Sequence, residues 1–226
     1  MKNTVFSFFS LVLVSVLLMS FSCNGTQKSS AEQQPDSASE AVTVTEKSVP
    51  ANAKIAYLAS GCFWCVEAVY EHAKGVSDVV SGYSGGHTKN PTYESSNTGR
   101  TGHAEAVKVV YDPKVISFAQ IIDIYFATQN PTQVNGQGPD RGSQYRSILF
   151  YQNEEEKAII EEKKTALAAK LNADIAAEVM PFEKFWVAED YHQDYERLHP
   201  NNPYILNVSV PRLNKFKQGF PDLVKE

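Results

Sequence analysis

The chain is poor in cysteine, with three in 226 residues. Secreted domains stapled by disulfides carry many more, so a disulfide scaffold is excluded. It also has no excess of positive charge. Lys and Arg number 21 against 26 Asp and Glu, a formal net charge of −5. That leaves no basic stripe to neutralise phosphates and excludes a nucleic-acid binder. Internal repeats are absent, and beyond the first 22 residues no apolar run reaches the length of a membrane span. His87, His103, His192 and His199 stand at no ligand spacing with the cysteines, so the sequence predicts no metal. What is left is a chain 42% hydrophobic and 11% aromatic, enough to build one domain with a real core plus extensions.

The first extension is N-terminal. Lys2 followed by the nearly uncharged apolar stretch Val5 to Met19 and small residues reads as a signal peptide over residues 1–22. Cys23 comes next and opens a polar tract, as in the lipidation box of a bacterial lipoprotein, although Ser20 stands where such boxes usually carry Leu. The competing reading is an ordinary cleavage site with an incidental cysteine. The expectation is an exported protein of the bacterial cell envelope, a periplasm-facing lipoprotein held to the membrane by a lipid on Cys23. Residues 23–52 are Ser, Gln, Glu, Ala and Thr with almost no large apolar side chain. They cannot bury enough surface to offset their ordering entropy and are predicted to form a disordered tether. The folded domain is expected over 53–226.

Within that domain apolar and polar residues alternate between strand and helix periods. Strands are predicted over Lys54–Ser60, Val76–Tyr83, His103–Tyr111, Gln144–Tyr151 and Ala176–Met180. Helices are predicted from Phe63 to Ala73, from a Ser117 capping box to Ala127, and from an Asn153 cap to about Leu171. Long polar loops cover 87–102 and 135–142, and the last third is less regular, with one short helix near Glu189 to Leu198. This alternation predicts an α/β (α+β) fold, a two-layer sandwich with a mixed, ferredoxin-like central sheet covered by helices.

Two of the three cysteines fall in Gly61-Cys62-Phe63-Trp64-Cys65. A bridge closing so small a loop constrains the unfolded chain little, so redox work is the better reason for the pair. Cys62 follows a strand and a glycine and opens a helix, where unpaired N–H groups favour a thiolate. The bland alternative is a small buried hydrophobe. Cys65, three residues on, lies on nearly the same helical face. It either resolves an oxidised Cys62 or packs in the interior. Glu105 shares a strand face with Val107, Val109 and Tyr111. A carboxyl there is desolvated and kept protonated near neutrality, unless it faces solvent at the strand end.

The ordered motifs Gly61-Cys-Phe-Trp-Cys65, Gly82-Tyr-Ser-Gly-Gly86, Asn90-Pro-Thr-Tyr93, Thr101-Gly-His-Ala-Glu-Ala106, Tyr111-Asp-Pro113, Asp140-Arg-Gly-Ser-Gln-Tyr-Arg146 and Ala188-Glu-Asp-Tyr-His-Gln193 resemble the peptide methionine sulfoxide reductase A family. The resemblance runs from about Ile55 to Tyr204. It implies reduction of methionine-S-sulfoxide, free or in proteins, with no bound cofactor. Cys62 would attack the sulfoxide sulfur and Glu105 would protonate its oxygen. Tyr93 and Tyr145 would donate hydrogen bonds to that oxygen. Phe63 and Trp64 would wall the S-methyl group, and Asp140 would sit at the rim. Cys62 would become a sulfenic acid that Cys65 converts to a disulfide, for a thioredoxin-like protein or another dithiol to reopen. Many members carry Gly at the position of Cys65 and place recycling cysteines near the C-terminus, whereas Asn207 to Glu226 has none. Nothing in the sequence requires more than a monomer. Two other readings compete: a Cys-x-x-Cys thiol–disulfide oxidoreductase, which leaves Glu105 and Tyr93 unexplained, and a surface lipoprotein that binds a partner without catalysis.

Overall fold

The computed structural model describes residues 52–226; the expected signal peptide, Cys23 and nearly all of the tether lie outside the described residues. In chain order the strands are β1 (Lys54–Ser60), β2 (Val76–Ser84), β3 (Ala104–Tyr111), β4 (Gly136–Gln137), β5 (Asp140–Arg141), β6 (Ser147–Tyr151), β7 (Glu178–Pro181) and β8 (Phe185–Val187). The α-helices are α1 (Phe63–Glu71), α2 (Tyr93–Asn97), α3 (Phe118–Ala127), α4 (Glu154–Leu171), α5 (Tyr195–Leu198) and α6 (Val210–Gly219). A π-helical turn, Ile205–Ser209, runs directly into α6.

The main sheet has the order β7-β6-β1-β3-β2-β8. Its four inner strands, β6-β1-β3-β2, pair antiparallel throughout and are joined as β1-α1-β2-β3-α3-β6, the split arrangement of a ferredoxin-like fold. β7 joins β6 in parallel and β8 joins β2 antiparallel, so the whole sheet is mixed. The helices cover one face. Val107, Val109 and Tyr111 of β3 point into the cluster that they form with Val66, Val69 and Tyr70 of α1, Ile121, Ile122 and Ile124 of α3, Ile160 of α4 and Phe216 of α6. Ala104 and Ala106 face the other way, into a smaller cluster with Tyr57, Ile148 and Phe150 that Phe182 and Phe185 cap. Both faces of β3 are therefore buried, which is why its sequence never settled into a clean apolar–polar alternation.

The expected caps are in place. Ser117 and Gln120 form a reciprocal capping box for α3, and the Asn153 side chain accepts the Glu156 N–H at the start of α4. Thr92 and Ser95 make another capping box for α2, a helix inside what reads in sequence as an uninterrupted loop. The predicted strand from Gln144 starts instead at Ser147, because Ser143–Tyr145 forms a 3₁₀ turn. At the C-terminus α6 replaces irregular chain: its apolar residues Leu213 and Phe216 are too sparse to stand out among lysines and asparagines, yet both are buried.

Two close approaches fix the sheet against α1 and the region after β8. Gly82 leaves room for β8, since a Cβ there would lie 2.3 Å from the Trp186 carbonyl oxygen. Glu67 of α1 accepts the Ser81 hydroxyl at 2.8 Å and the Asp194 N–H at 3.1 Å. Burial pushes the Glu67 carboxyl up to about 8, against about 4.3 in an unfolded chain. The folded chain thus keeps a proton that the unfolded chain releases across that window. This contribution is full below the unfolded value and is lost as pH rises towards 8. Urea melts should show the unfolding free energy falling with pH across this range, and Glu67→Gln should flatten the slope; identical slopes for both proteins would reject the assignment.

Candidate active site

Strand pairing brings four chain segments to one end of the sheet. Ser60 at the end of β1 pairs with Ser147 at the start of β6, and Ser84 at the end of β2 pairs with Ala104 at the start of β3. The β1–α1 turn delivers Cys62, the first residues of β3 deliver Glu105, the β2–β3 connection delivers Tyr93 on α2, and the 3₁₀ turn before β6 delivers Tyr145.

Gly61 makes the turn possible. Its φ is +74°, and a Cβ on it would lie 2.5 Å from the Gln137 Cβ, so a side chain is opposed by backbone conformation and by space alike. Cys62 is then the N-cap residue of α1 and its side chain makes no capping bond. The N–H of Phe63 donates instead to Glu105 Oε2 at 3.0 Å. Glu105 is 2% exposed. Burial pushes its carboxyl up to about 8, and the negative potentials of Asp140 and Cys65 add to this against the opposing Phe63 N–H bond. The group is a neutral acid at neutral pH, adjacent to the thiol.

Cys62 and Cys65 are both free and both buried, and they are electrostatically coupled to one another. Burial pushes the Cys62 thiol well up, with Cys65 and Glu105 reinforcing it and the Tyr204 hydroxyl opposing. Interaction with Cys62 pulls Cys65 down to about 7 despite burial, helped by Arg212, Ser209 and Tyr204. A helix N-terminus alone favours a thiolate at Cys62; here desolvation opposes it, and the two thiols titrate as a coupled pair. The Cys65 thiol also approaches the Tyr204 hydroxyl at 3.8 Å, which donates to Asp140 Oδ2 at 2.6 Å. The thiols are thus linked to the half-buried carboxylate of Asp140 through one phenol.

Aromatic rings fill the other side of Cys62. Phe63 is fully buried, with its ring 4.8 Å from His192, 5.8 Å from Tyr83 and 6.5 Å from Tyr93. Trp64 stacks on Tyr195 at 3.7 Å. Its indole N–H donates to His192 Nδ1 at 3.2 Å, which puts the imidazole proton on Nε2. Burial holds His192 below the usual histidine range, hence neutral. Tyr145 donates to Asn97 Oδ1 at 3.4 Å, in the electrostatic neighbourhood of Tyr93. Desolvation raises both phenols, and both lie within the field of Glu105 and Cys62. Glu189 secures Tyr93 from behind by accepting its backbone N–H and the Tyr83 hydroxyl, each at 2.9 Å. Arg146 binds the carbonyls of Ser143 and Gly102 at 2.9 and 3.0 Å and so ties the Tyr145 turn to the start of β3.

Every residue singled out in the domain sequence therefore lies in this one neighbourhood: Cys62, Phe63, Trp64, Cys65, Tyr93, Glu105, Asp140 and Tyr145. Sequence reasoning missed Glu189, Tyr195, Tyr204 and Arg212, and left His192 as an ordinary histidine. Their segment has no regular periodicity, so only their packing reveals them. A cleft of about 260 Å³ opens beside the thiols, lined by Cys62, Cys65, Gln129, Asp140, Tyr204 and Arg212 among others. It does not include the aromatic pocket around Phe63. The site thus presents two buried thiols, a neutral acid, two phenol hydroxyls and a wall of packed aromatic rings.

A family model described as peptide methionine sulfoxide reductase matches residues 54–223. Among curated proteins, a peptide methionine sulfoxide reductase MsrA of Saccharolobus solfataricus is 48% identical over 172 residues, covering 76% of this chain and 97% of that protein. One from Pasteurella multocida is 46% identical over 170 residues, covering 75% and 98%. Among solved structures, methionine sulfoxide reductase A of Corynebacterium diphtheriae superposes with a TM-score of 0.61 at 33% identity, covering 66% of this chain and 76% of that one. Mxr1 from Saccharomyces cerevisiae in reduced form gives 0.64 at 34%, covering 68% and 89%.

A neutral Glu105 can be observed directly. Difference infrared spectra should show a protonated carboxyl at neutral pH that disappears as pH rises through about 8 and is absent from Glu105→Gln. A Glu105 already ionised at neutral pH would remove the proton donor from this site.

Proposed function

The chain belongs to the peptide methionine sulfoxide reductase family and is an oxidoreductase of methionine sulfoxide; we propose that it acts on the S epimer, free or in proteins, and recycles through Cys62 and Cys65. The observation that carries the reading is the buried Glu105, protonated up to about 8 and bonded to the first N–H of the helix that Cys62 caps. A sulfoxide is a poor electrophile until its oxygen accepts a proton, and a positioned acid of this pKa supplies one at neutral pH.

Cys62 attacks the sulfoxide sulfur as Glu105 protonates the oxygen. A bond between the Cys62 sulfur and the substrate sulfur forms and then breaks as the hydroxyl passes from the substrate sulfur to that of Cys62. The substrate's S–O bond is thereby broken, methionine leaves as the thioether, Cys62 is left as a sulfenic acid, and the proton from the Cys62 thiol restores Glu105. Tyr93 and Tyr145 donate hydrogen bonds to the oxygen as charge builds on it. Phe63 and Trp64 form the walls for the S-methyl group, where the excluded water strengthens those bonds. Asp140, held by Tyr204, orders water and the substrate backbone at the rim. Cys65 then attacks the sulfenic sulfur, the S–S bond forms, and the oxygen departs as water. A thioredoxin-like dithiol reopens the disulfide.

The setting of this chemistry is read from residues outside the described part. Lys2, the apolar stretch to Met19 and Cys23 support an exported lipoprotein that repairs oxidised proteins of the cell envelope. The tether over residues 23–52 would give the domain reach. Cys23→Ala should move the protein from the membrane to the soluble fraction of fractionated cells; unchanged membrane association would remove the lipid anchor from this account.

Incubation with both epimers of a methionine sulfoxide peptide and dithiothreitol should consume one epimer only. Disulfide exchange without sulfoxide loss would favour the Cys-x-x-Cys oxidoreductase. Cys62→Ser should reduce activity to background, and Glu105→Gln should slow methionine release by about 10²–10⁴-fold. With a thioredoxin, Cys65→Ser should release one methionine per enzyme and stall; undiminished steady-state turnover would show that another thiol resolves the sulfenic acid.

A further inference from the structure

Arg212 is 8% exposed and lines the cleft that both thiols enter. Its two terminal nitrogens donate to the Ser60 carbonyl at 2.6 Å and the Ser60 hydroxyl at 2.7 Å, two residues before Cys62. Its Nε is buried without a hydrogen-bond partner, and among the described residues no carboxylate lies within ion-pair distance of it. A desolvated cation is costly unless anions offset it, and the acidic groups within its electrostatic reach in this cleft are Asp140 and Cys65.

The helix geometry puts Arg212 on the same face as Tyr204, which contacts a thiol. Tyr204, which contacts Cys65, precedes Arg212 by eight residues. In an unbroken α-helix that spacing turns the side chains about 80° apart; one extra residue in a π turn brings them within about 20° of each other. The π turn Ile205–Ser209 lies between the two.

We propose that Arg212 is a positioning residue for recycling: its buried guanidinium holds Cys65 as the thiolate that attacks the Cys62 sulfenic acid. The proposal rests on the reading that Cys65 is the resolving thiol. In the step, the Cys65–Cys62 S–S bond forms, the S–O bond of Cys62 breaks, and hydroxide leaves and takes up a proton to become water. The groups facing Cys65 are Cys62 on its own helix, Glu105 from β3, Asp140 from β5 through Tyr204, Ser209 at the end of the π turn, and Arg212 from α6. Lys215 lines the same cleft. Arg212 and Lys215 are the cations of this set. The direction of the Cys65 shift, with Arg212 among its causes, agrees. An attacking thiol works best with a pKa near the ambient pH.

The test uses the full chain with Cys23→Ser, so that only Cys62 and Cys65 are scored. One equivalent of sulfoxide peptide is added without reductant. Methionine release and disulfide formation are followed separately, with a cyclic diketone trapping the sulfenic acid. Arg212→Met should lower the ratio of the disulfide rate to the methionine-release rate about tenfold near neutral pH, the loss shrinking as alkali restores the thiolate. Arg212→Lys should recover most of the ratio. Equal slowing of both steps, or a loss independent of pH, would overturn the proposal and leave Arg212 as a prop for Ser60.

Should Arg212→Met not fold, thiolate absorbance in the Cys62→Ser background compares Arg212 with Arg212→Lys and Arg212→Gln. Only the glutamine variant is expected to shift the Cys65 titration upward, and coincident titrations would overturn the proposal. Cys65→Ser is the control for the underlying reading. If it still clears the sulfenic acid at the parent rate, the resolver assignment falls; if it stalls while Arg212 variants match the parent, the arginine proposal alone falls.

Discussion

The hydrogen bond from the Phe63 N–H to Glu105 is the contact on which the rest of this structure turns. It joins the free end of α1 to the first buried carboxyl of β3, and so joins the thiol that caps the helix to the acid in the sheet. Neither group is well placed alone. The helix end has N–H groups without partners, and the carboxyl has no cation beside it. Meeting in the interior, each satisfies the other, and burial keeps the acid protonated.

The fold exists around that meeting. Ferredoxin-like pairing places the end of β1 beside the start of β6, and the end of β2 beside the start of β3. Four connections therefore converge on one end of the sheet, each carrying a reactive or hydrogen-bonding side chain. Gly61 lets the chain turn there, and Arg146 and Glu189 hold the two tyrosine-bearing turns. The C-terminal segment closes the assembly from behind with Tyr204 and Arg212, so a stretch with little pattern of its own supplies the electrostatics of the second thiol.

The burial of both thiols beside Glu105 has a mechanistic sense. An ionised Cys62 would face a carboxyl in a desolvated space, and each negative charge would oppose the other. Burial therefore favours a protonated Glu105 and a Cys62 thiol. In the proposed recycling, the lowered pKa of Cys65 suits an attacking thiol.

The sequence by itself determined the strands and helices whose signals are local: the alternation around Lys54–Ser60, the Ser117 and Asn153 caps, and the glycine before Cys62. It also marked Cys62, Cys65 and Glu105, because a paired thiol and an acid on an apolar strand face are unusual wherever they fall. It predicted a thiolate at Cys62 from the helix end, since a chain read in one dimension shows the helix but not the desolvation around it. Only the tertiary structure decided that both thiols are desolvated and coupled, and that Glu189, His192, Tyr195, Tyr204 and Arg212 join the site. Those five belong to a segment whose turns have no period, and they join the neighbourhood of the thiols by packing across 124 to 150 positions of chain, counted from Glu189 to Cys65 and from Arg212 to Cys62. Burial and through-space charge depend on such long-range contacts, and these are properties of the folded chain alone.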